Sequence, residues 1–329
     1  MSNADVLQRV AFGLAHWPRD GDSAPKDGPK MQATNLKLSM ICTLCGMFVL
    51  GMTDNLIPLI SENSGLWLFQ LARSVATLPM LVLLALLGLG TLRANRPLHV
   101  LARNFFTSTG LLIYFGCLAF LPIGVAVAGL FTAPIFVLIL SVLFRGQSVG
   151  FWRCAAVAIG FSGAVLVVWP QDGNITVLAF VPIIAGVFYA VGAIGTRAWC
   201  EGESVLVMTM AYFVILGVYG LLGVTALTIW PIDAPFGVDG WLQRGFVPMT
   251  ITMIWVIIGQ AVGSIIGVGL LTRGYQLGEA SYVAINEYSL ILFAAIFGWI
   301  MWGQTLGVLA LFGIACIIAS GSMIALRSK

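Results

Sequence analysis

The residue with the clearest chemical potential is Glu287, because it lies inside an apolar run from Ala280 to Gln304 that is long enough to cross a membrane. An ionisable side chain in hydrocarbon costs about 2.5 to 3.5 kcal/mol on insertion scales. Chains tolerate that cost where the charge faces a protein cavity or a pathway. A carboxylate in such a place can bind a cationic group or exchange a proton. We therefore predict that Glu287 is a functional residue.

Two further charges lie in neighbouring apolar runs. Asp54 and Asn55 are near the end of the first run, and Arg73 is near the beginning of the second. Counted from the ends of the runs at 1.5 Å per residue, Asp54 and Arg73 each lie about 8 to 10 Å deep. Equal depth allows the two charges to pair. Two interpretations stay open: a pair that only neutralises charge between helices, or a site that contacts a ligand.

Other polar and aromatic side chains also lie within apolar runs, where a cavity would suit them better than lipid. A single aromatic residue is more often part of the packing, so that these are weaker candidates. With Glu287, Arg73, Asp54 and Asn55, the candidate binding set contains Tyr114, Tyr189, Trp255, Gln260, Asn286 and Tyr288.

The composition shows what must position these side chains. The chain has 329 residues, of which 60% are hydrophobic and 9% charged, and its mean hydropathy is +1.01. Soluble domains carry roughly 25% charged residues, so we predict an all-α, polytopic membrane protein. A membrane-spanning helix needs about 20 mostly apolar residues. Ten runs qualify: 36–60, 66–90, 103–121, 124–144, 153–169, 177–196, 205–230, 247–272, 280–301 and 305–326.

The basic residues predict the orientation, since Lys and Arg concentrate in short cytoplasmic loops. With both termini in the cytoplasm, fourteen of the sixteen basic residues fall on the cytoplasmic side, and only Arg73 and Arg244 do not. The fourteen are Arg9, Arg19, Lys26, Lys30, Lys37, Arg93, Arg96, Arg103, Arg145, Arg153, Arg197, Arg273, Arg327 and Lys329.

The remaining segments suggest little chemistry. Residues 1–35 are polar and are predicted to be a disordered cytoplasmic segment, in which Met31 is a candidate natural start. The two histidines lie outside the apolar runs. We therefore expect no buried histidine-ligated metal site. We also expect no cofactor and no nucleic-acid partner.

A short internal repeat relates the two halves of the chain. Gly146-Gln147-Ser148-Val149-Gly150 aligns with Gly303-Gln304-Thr305-Leu306-Gly307, and an apolar run lies on either side of each copy. Because each half has five predicted spans, the second half must enter the membrane from the opposite face. Inverted repeats are typical of alternating-access carriers, whose binding site lies near the midplane.

Longer motifs resemble a known family. LFTAPIFVLILSVLFRGQSVGFWR with GFSGAVLVVWP, and AINEYSLILFAAIFGWIMWGQ with GIACIIASG, resemble the two EamA repeats of the drug/metabolite transporter (DMT) superfamily. The resemblance implies a first repeat at 36–170, a second at 177–326, ten spans and a central cavity. Glu287-Tyr288 and the LARS of the second run look most like the bacterial S-adenosylmethionine uptake branch. The family commonly has Gly-Glu where this chain has Gly146-Gln147 and Gly303-Gln304, and Pro-Phe in place of Ile285-Asn286.

We predict a secondary, alternating-access transporter in the bacterial inner membrane. Its expected cargo is a small polar organic metabolite, such as an amino acid or an amino-acid or nucleoside derivative. Membrane lipid surrounds it, a proton is a candidate coupling ion, and a homodimer is a candidate assembly. A channel or facilitator without ion coupling is the alternative, followed by a non-transporting membrane protein. An enzyme is not expected, because the chain contains no H-E-x-x-H or G-x-S-x-G motif.

The exchange Glu287→Gln tests the central residue. It removes the charge but keeps the size and one polar oxygen, so that transport should fall while the protein stays folded. Transport into proteoliposomes and thermal unfolding of the same preparation measure the two properties. Wild-type flux in this variant would exclude Glu287 from the mechanism.

Overall fold

The computed structural model describes residues 35–117, 121, 123–145, 150–168, 177–303 and 307–327. Within these residues the structure is helical and contains no strand. The predicted N-terminal segment, most of the Gly146–Gly150 motif and much of its Gly303–Gly307 counterpart lie outside the described residues. The α-helices, in chain order, are α1 Leu36–Asp54, α2 Pro58–Ser61, α3 Leu66–Leu86, α4 Pro97–Cys117, α5 Ile123–Leu130, α6 Ala133–Arg145, α7 Phe151–Val168, α8 Val181–Ala198, α9 Val205–Ile229, α10 Ile251–Leu277, α11 Ala280–Glu287, α12 Ser289–Trp302 and α13 Val308–Arg327.

Seven helical segments of the described chain are long and apolar enough to cross a membrane, which makes the protein a multi-pass membrane protein. Helices α7 and α13 are also apolar but shorter in that part of the chain. Helix α4 is continuous over 21 residues but contains several polar side chains, which lower its hydropathy. The prediction of ten spans therefore stays a prediction, whereas the membrane-spanning, all-α class is confirmed.

Three of the predicted spans are interrupted. The first is divided into α1 and α2 just ahead of Pro58, since proline has no backbone N–H to continue the helical hydrogen-bond pattern. The fourth is divided at Phe131 and Thr132, just before Pro134, and the ninth is divided at Tyr288. Beside this last break the Ser289 hydroxyl donates to the Asn286 carbonyl over 2.7 Å. A serine hydroxyl that bonds to the backbone in this way competes with the regular helical pattern.

Close packing of helix pairs holds the bundle together. Helix α1 packs along α10, α4 along α8, α3 along α9, and α7 along α13. Small residues allow these approaches, as they do generally between helices in membranes. A Cβ atom placed on Gly163 of α7 would lie 2.6 Å from the carbonyl oxygen of Gly313 of α13, and one on Gly46 of α1 would lie 2.9 Å from that of Gly267 of α10.

The exchange Gly163→Ala should destabilise the protein by about 1 to 3 kcal/mol, because the added methyl group meets rigid backbone and forces α7 and α13 apart. Gly150→Ala is the matched control, since nothing lies within 4 Å of a Cβ atom at Gly150. Thermal unfolding in detergent should show a lower midpoint for the first variant only. Equal midpoints would mean that the α7–α13 contact does not limit stability.

Candidate functional site

Glu287 is the last residue of α11 and is buried, with 6% of its surface exposed. The Tyr189 hydroxyl of α8 donates to its Oε1 over 3.2 Å. The Tyr275 hydroxyl of α10 interacts with the same carboxylate, although it makes no hydrogen bond of good geometry. A pathway residue rather than a lipid-facing one is expected to have such polar neighbours.

Arg103 of α4 supplies a positive charge near this carboxylate. Its guanidinium interacts electrostatically with Glu287 and Tyr189, and only 4% of its surface is exposed. Nε donates to Thr196 Oγ1 over 2.8 Å, and Nη1 donates to Asn104 Oδ1 over 2.7 Å. The placement of Arg103 in a cytoplasmic loop was therefore wrong. Helix α4 begins at Pro97, six residues before the predicted start of the span, and takes Arg103 into the bundle.

A second polar group surrounds Arg73 of α3. Its Nη2 donates to Gln70 Oε1 over 2.6 Å, and its guanidinium carbon lies 4.9 Å from the centre of the Phe69 ring. The rings of Phe115 and Phe213 flank it at 5.7 and 5.5 Å. Arg73 Nε and Gln70 Nε2 are buried donors without a partner. The ring contacts stabilise the Arg73 guanidinium itself, and the two unpartnered donors are left for a ligand to use.

Asp54 belongs to the same group. It ends α1, is half-buried, and interacts electrostatically with Arg73, Gln260 and Tyr114. Asp54 and Arg73 do not form a contact ion pair, because none of their charged atoms lie within 4.0 Å of each other. The two interpretations of Asp54 and Arg73, a neutralising pair or a ligand site, therefore both stay predictions. Gln260 is buried, and its Nε2 donates to the Thr53 carbonyl over 2.6 Å while Oε1 has no partner.

Tyr212 of α9 connects the two groups, since it interacts electrostatically with Asp54, Arg73 and Arg103. Arg103 and Tyr114, on the same helix, belong to opposite ends of this network. Eleven residues of helix correspond to about 16 Å along the membrane normal. The depth over which these polar side chains extend is therefore about half the thickness of a 30 Å hydrocarbon core. They belong to α1, α3, α4, α8, α9, α10 and α11.

Four predicted binding residues have surroundings of another kind, and their role in binding stays a prediction. The Trp255 side chain is 66% exposed, because α10 turns Val256 and Gln260 inward and Trp255 outward. The Asn55 amide donates to the carbonyls of Gly51 and Ala294 and so ties α1 to α12. The buried Asn286 directs its Oδ1 towards Gly321 of α13.

Tyr288 is the fourth of these residues. It is fully buried, and its ring stacks on Phe131 with a centroid distance of 5.8 Å and an interplanar angle of 28°. A Cβ atom on Gly160 would lie 2.6 Å from the same ring. Tyr288 therefore packs α11 and α12 against the first half of the chain.

Conversely, the candidate set did not include Arg103, Tyr212, Tyr275 or Gln70. Gln70 and Tyr212 carried a signal in the sequence, as polar side chains in apolar runs, whereas Tyr275 lies beyond the predicted run 247–272.

Comparison with known proteins identifies transporters. The chain is 25% identical over 243 residues to a riboflavin transporter of Rhizobium johnstonii, covering 74% of each chain. It is 25% identical over 256 residues to the pseudopaline exporter CntI of Pseudomonas aeruginosa, covering 75% of this chain and 83% of the exporter. It is 25% identical over 265 residues to an S-adenosylmethionine uptake transporter of Rickettsia bellii, covering 78% and 81%.

The resemblance to the DMT superfamily is confirmed. These relatives are named as transporters, which confirms that the chain is not an enzyme. A solved crystal structure matches with a TM-score of 0.64 and 15% identity, covering 87% of this chain and 98% of that one, and so supports the fold. No family model matches the chain, and the assignment of EamA repeats stays a prediction.

Removing the hydroxyl that contacts Glu287 tests this end of the network. Tyr189→Phe should lower transport by about tenfold, since a hydrogen bond to a charged group contributes roughly 1.5 kcal/mol. Tyr219→Phe is the matched control, because it removes a hydroxyl that bonds to Thr109 over 2.8 Å, away from Glu287. Initial uptake rates in proteoliposomes measure both. An equal loss in the two variants would show that Tyr189 has no special role.

Proposed function

We propose that the protein is a secondary, alternating-access transporter of a small polar organic metabolite in the bacterial inner membrane. The observation that carries this proposal is the buried network between Asp54 and Glu287. It brings carboxylates, guanidinium groups and tyrosine hydroxyls to the interior of a multi-pass bundle, where each of them is costly unless it has a function. The homologous transporters support it.

The pairing of helices supports two inverted repeats. Let the first five spans be α1 with α2, α3, α4, α5 with α6, and α7, and the second five be α8, α9, α10, α11 with α12, and α13. Exchanging the halves converts the α1–α10 pair into the α8–α4 pair, and both pairs pack closely. The α3–α9 and α7–α13 pairs convert into themselves. An in-plane two-fold axis would produce this set of contacts.

The interruptions support the same relation. Phe131 lies at the break of the fourth proposed span and Tyr288 at the break of the ninth, and the two rings stack on each other. They are 157 residues apart, which is also the offset between Gly146 and Gly303 in the sequence repeat. Discontinuous helices at corresponding positions of two halves are a feature of the binding sites of carriers.

The charges favour a cargo that carries both signs. Glu287 and Asp54 suit an ammonium or other cationic group, while Arg73 Nε and Gln70 Nε2 are free donors that suit a carboxylate or carbonyl. We propose an amino acid, or an amino-acid or nucleoside derivative. Both termini are cytoplasmic in this proposal, as the distribution of basic residues indicates. A proton is the proposed coupling ion, bound at Glu287.

Counterflow in proteoliposomes tests the function. A panel of labelled amino acids, S-adenosylmethionine, nucleosides and riboflavin is offered to vesicles with and without the same unlabelled compound inside. A carrier should show saturable uptake of at least one compound, and the internal pool should accelerate it several-fold. Protein-free vesicles and the Glu287→Gln variant are the controls. Flux that rises linearly with concentration and ignores the internal pool would identify a channel.

A further inference from the structure

Arg153, near the start of α7, joins the two halves of the chain. Nη1 donates to Glu279 Oε1 over 2.7 Å and Nη2 donates to Oε2 over 3.1 Å. This is the only salt bridge between side chains of the described residues. Two parallel bonds fix the relative orientation of both groups, which a single contact would not.

Tyr282 strengthens the same contact. Its hydroxyl accepts from Arg153 Nη2 over 2.8 Å, and its ring centre lies 4.2 Å from the guanidinium carbon. Glu279 is the N-cap of α11, yet its side chain makes no capping hydrogen bond. The carboxylate is engaged by Arg153 instead. Helix α11 therefore depends on α7 for contacts that a helix usually makes within itself.

The contact continues along α7 towards the site. Val157 packs in one apolar cluster with Ile285, and Gly160 leaves room for the Tyr288 ring. Glu287 lies eight residues beyond Glu279, about 12 Å along the helix. Because α11 is a short helix with a break behind it, whatever fixes its first turn also fixes Glu287.

The sequence positions equivalent to Arg153 and Glu279 carry no charge. With the 157-residue offset, Ala310 corresponds to Arg153 and Pro122 to Glu279, and neither can carry a charge. The ionic contact at one end of the proposed two-fold arrangement therefore has no counterpart at the equivalent sequence positions of the other end. In the proposed orientation the ionic contact lies at the cytoplasmic end.

We propose that Arg153 and Glu279 are a positioning pair, which holds α11 against α7 while the cytoplasmic side is closed and which separates when that side opens. The pair acts on cargo only through Glu287, whose place beside Tyr189 it maintains. This rests on the proposed alternating-access function for its direction, but the positioning itself does not depend on transport.

Hydrogen–deuterium exchange of the full-length protein in lipid nanodiscs tests the positioning without any cargo. Arg153→Gln and Glu279→Gln should each raise the exchange of residues 280–287 at least fivefold. The double exchange Arg153→Glu with Glu279→Arg should bring it back to within twofold of the wild type. Arg273→Gln is the matched control, because this exposed arginine bonds to Gln276 of its own helix and should leave α11 unchanged.

Unchanged exchange in both single variants would overturn the proposal, and so would failure of the double reversal to restore it. If the neutral variants lose the fold, Arg153→Lys decides. It keeps the charge but cannot form the two parallel bonds, and it should raise exchange in α11 alone. Equal exchange in α11 of this variant and the wild type would again overturn the proposal.

Opening of the cytoplasmic side has a separate measurement. Ala284→Cys places a thiol on α11 at a position that is 1% exposed, and a membrane-impermeant maleimide reaches it in inside-out vesicles only after opening. Arg153→Gln should speed the labelling several-fold, with mass spectrometry separating it from the native cysteines. Faster exchange without faster labelling would refute the closure and retain the positioning. If both of these results hold but the wild-type protein shows no counterflow, the transport function alone is refuted.

Discussion

Hydrocarbon cannot hydrate a charge or an unpaired backbone group, and this constraint determines where every polar side chain of the bundle lies. The buried charges satisfy it with few direct ion pairs. Phenyl rings surround Arg73, hydroxyl and amide oxygens accept from Arg103, and the Tyr189 hydroxyl faces Glu287. Contacts of this kind keep a charge stable without neutralising it. A closed ion pair would have to be broken at high cost before a ligand could bind.

The proposed two-fold relation makes the asymmetry of the network informative. With an offset of 157 residues, Arg103 corresponds to Gln260 and Glu287 corresponds to Leu130. Two halves with the same helix arrangement thus present different chemistry at equivalent places. In the proposed transporter, the backbone symmetry would serve the interchange of two conformations, while binding needs unlike groups on the two sides of the cargo. Selection for each property can therefore act on different residues.

The sequence was sufficient to predict apolar helices and a buried Glu287. The reason is that the free-energy cost of a side chain in hydrocarbon depends on its residue type. The sequence was insufficient to predict which side chains face the interior of the bundle. Trp255 and Gln260 lie on one helix, and whether each faces inward depends on a rotation that only the packing of α10 against α1 sets. Asn55 looks like a ligand-binding amide until its neighbours are known, since its side chain donates to backbone carbonyls of α1 and α12. Arg103 was missed because a boundary error of six residues moves a charge from water into the bundle.

The two carboxylates differ in exposure. Glu287 is buried and bonded to Tyr189, whereas Asp54 is half-buried and has the Gln260 side chain as a neighbour. In the proposed orientation Asp54 lies towards the outer face. A cation that enters from outside would meet Asp54 first and reach Glu287 past Tyr212. If the protein works by the proposed alternating access, the salt bridge at the other end of α11 would keep the inner end closed while such a cation enters.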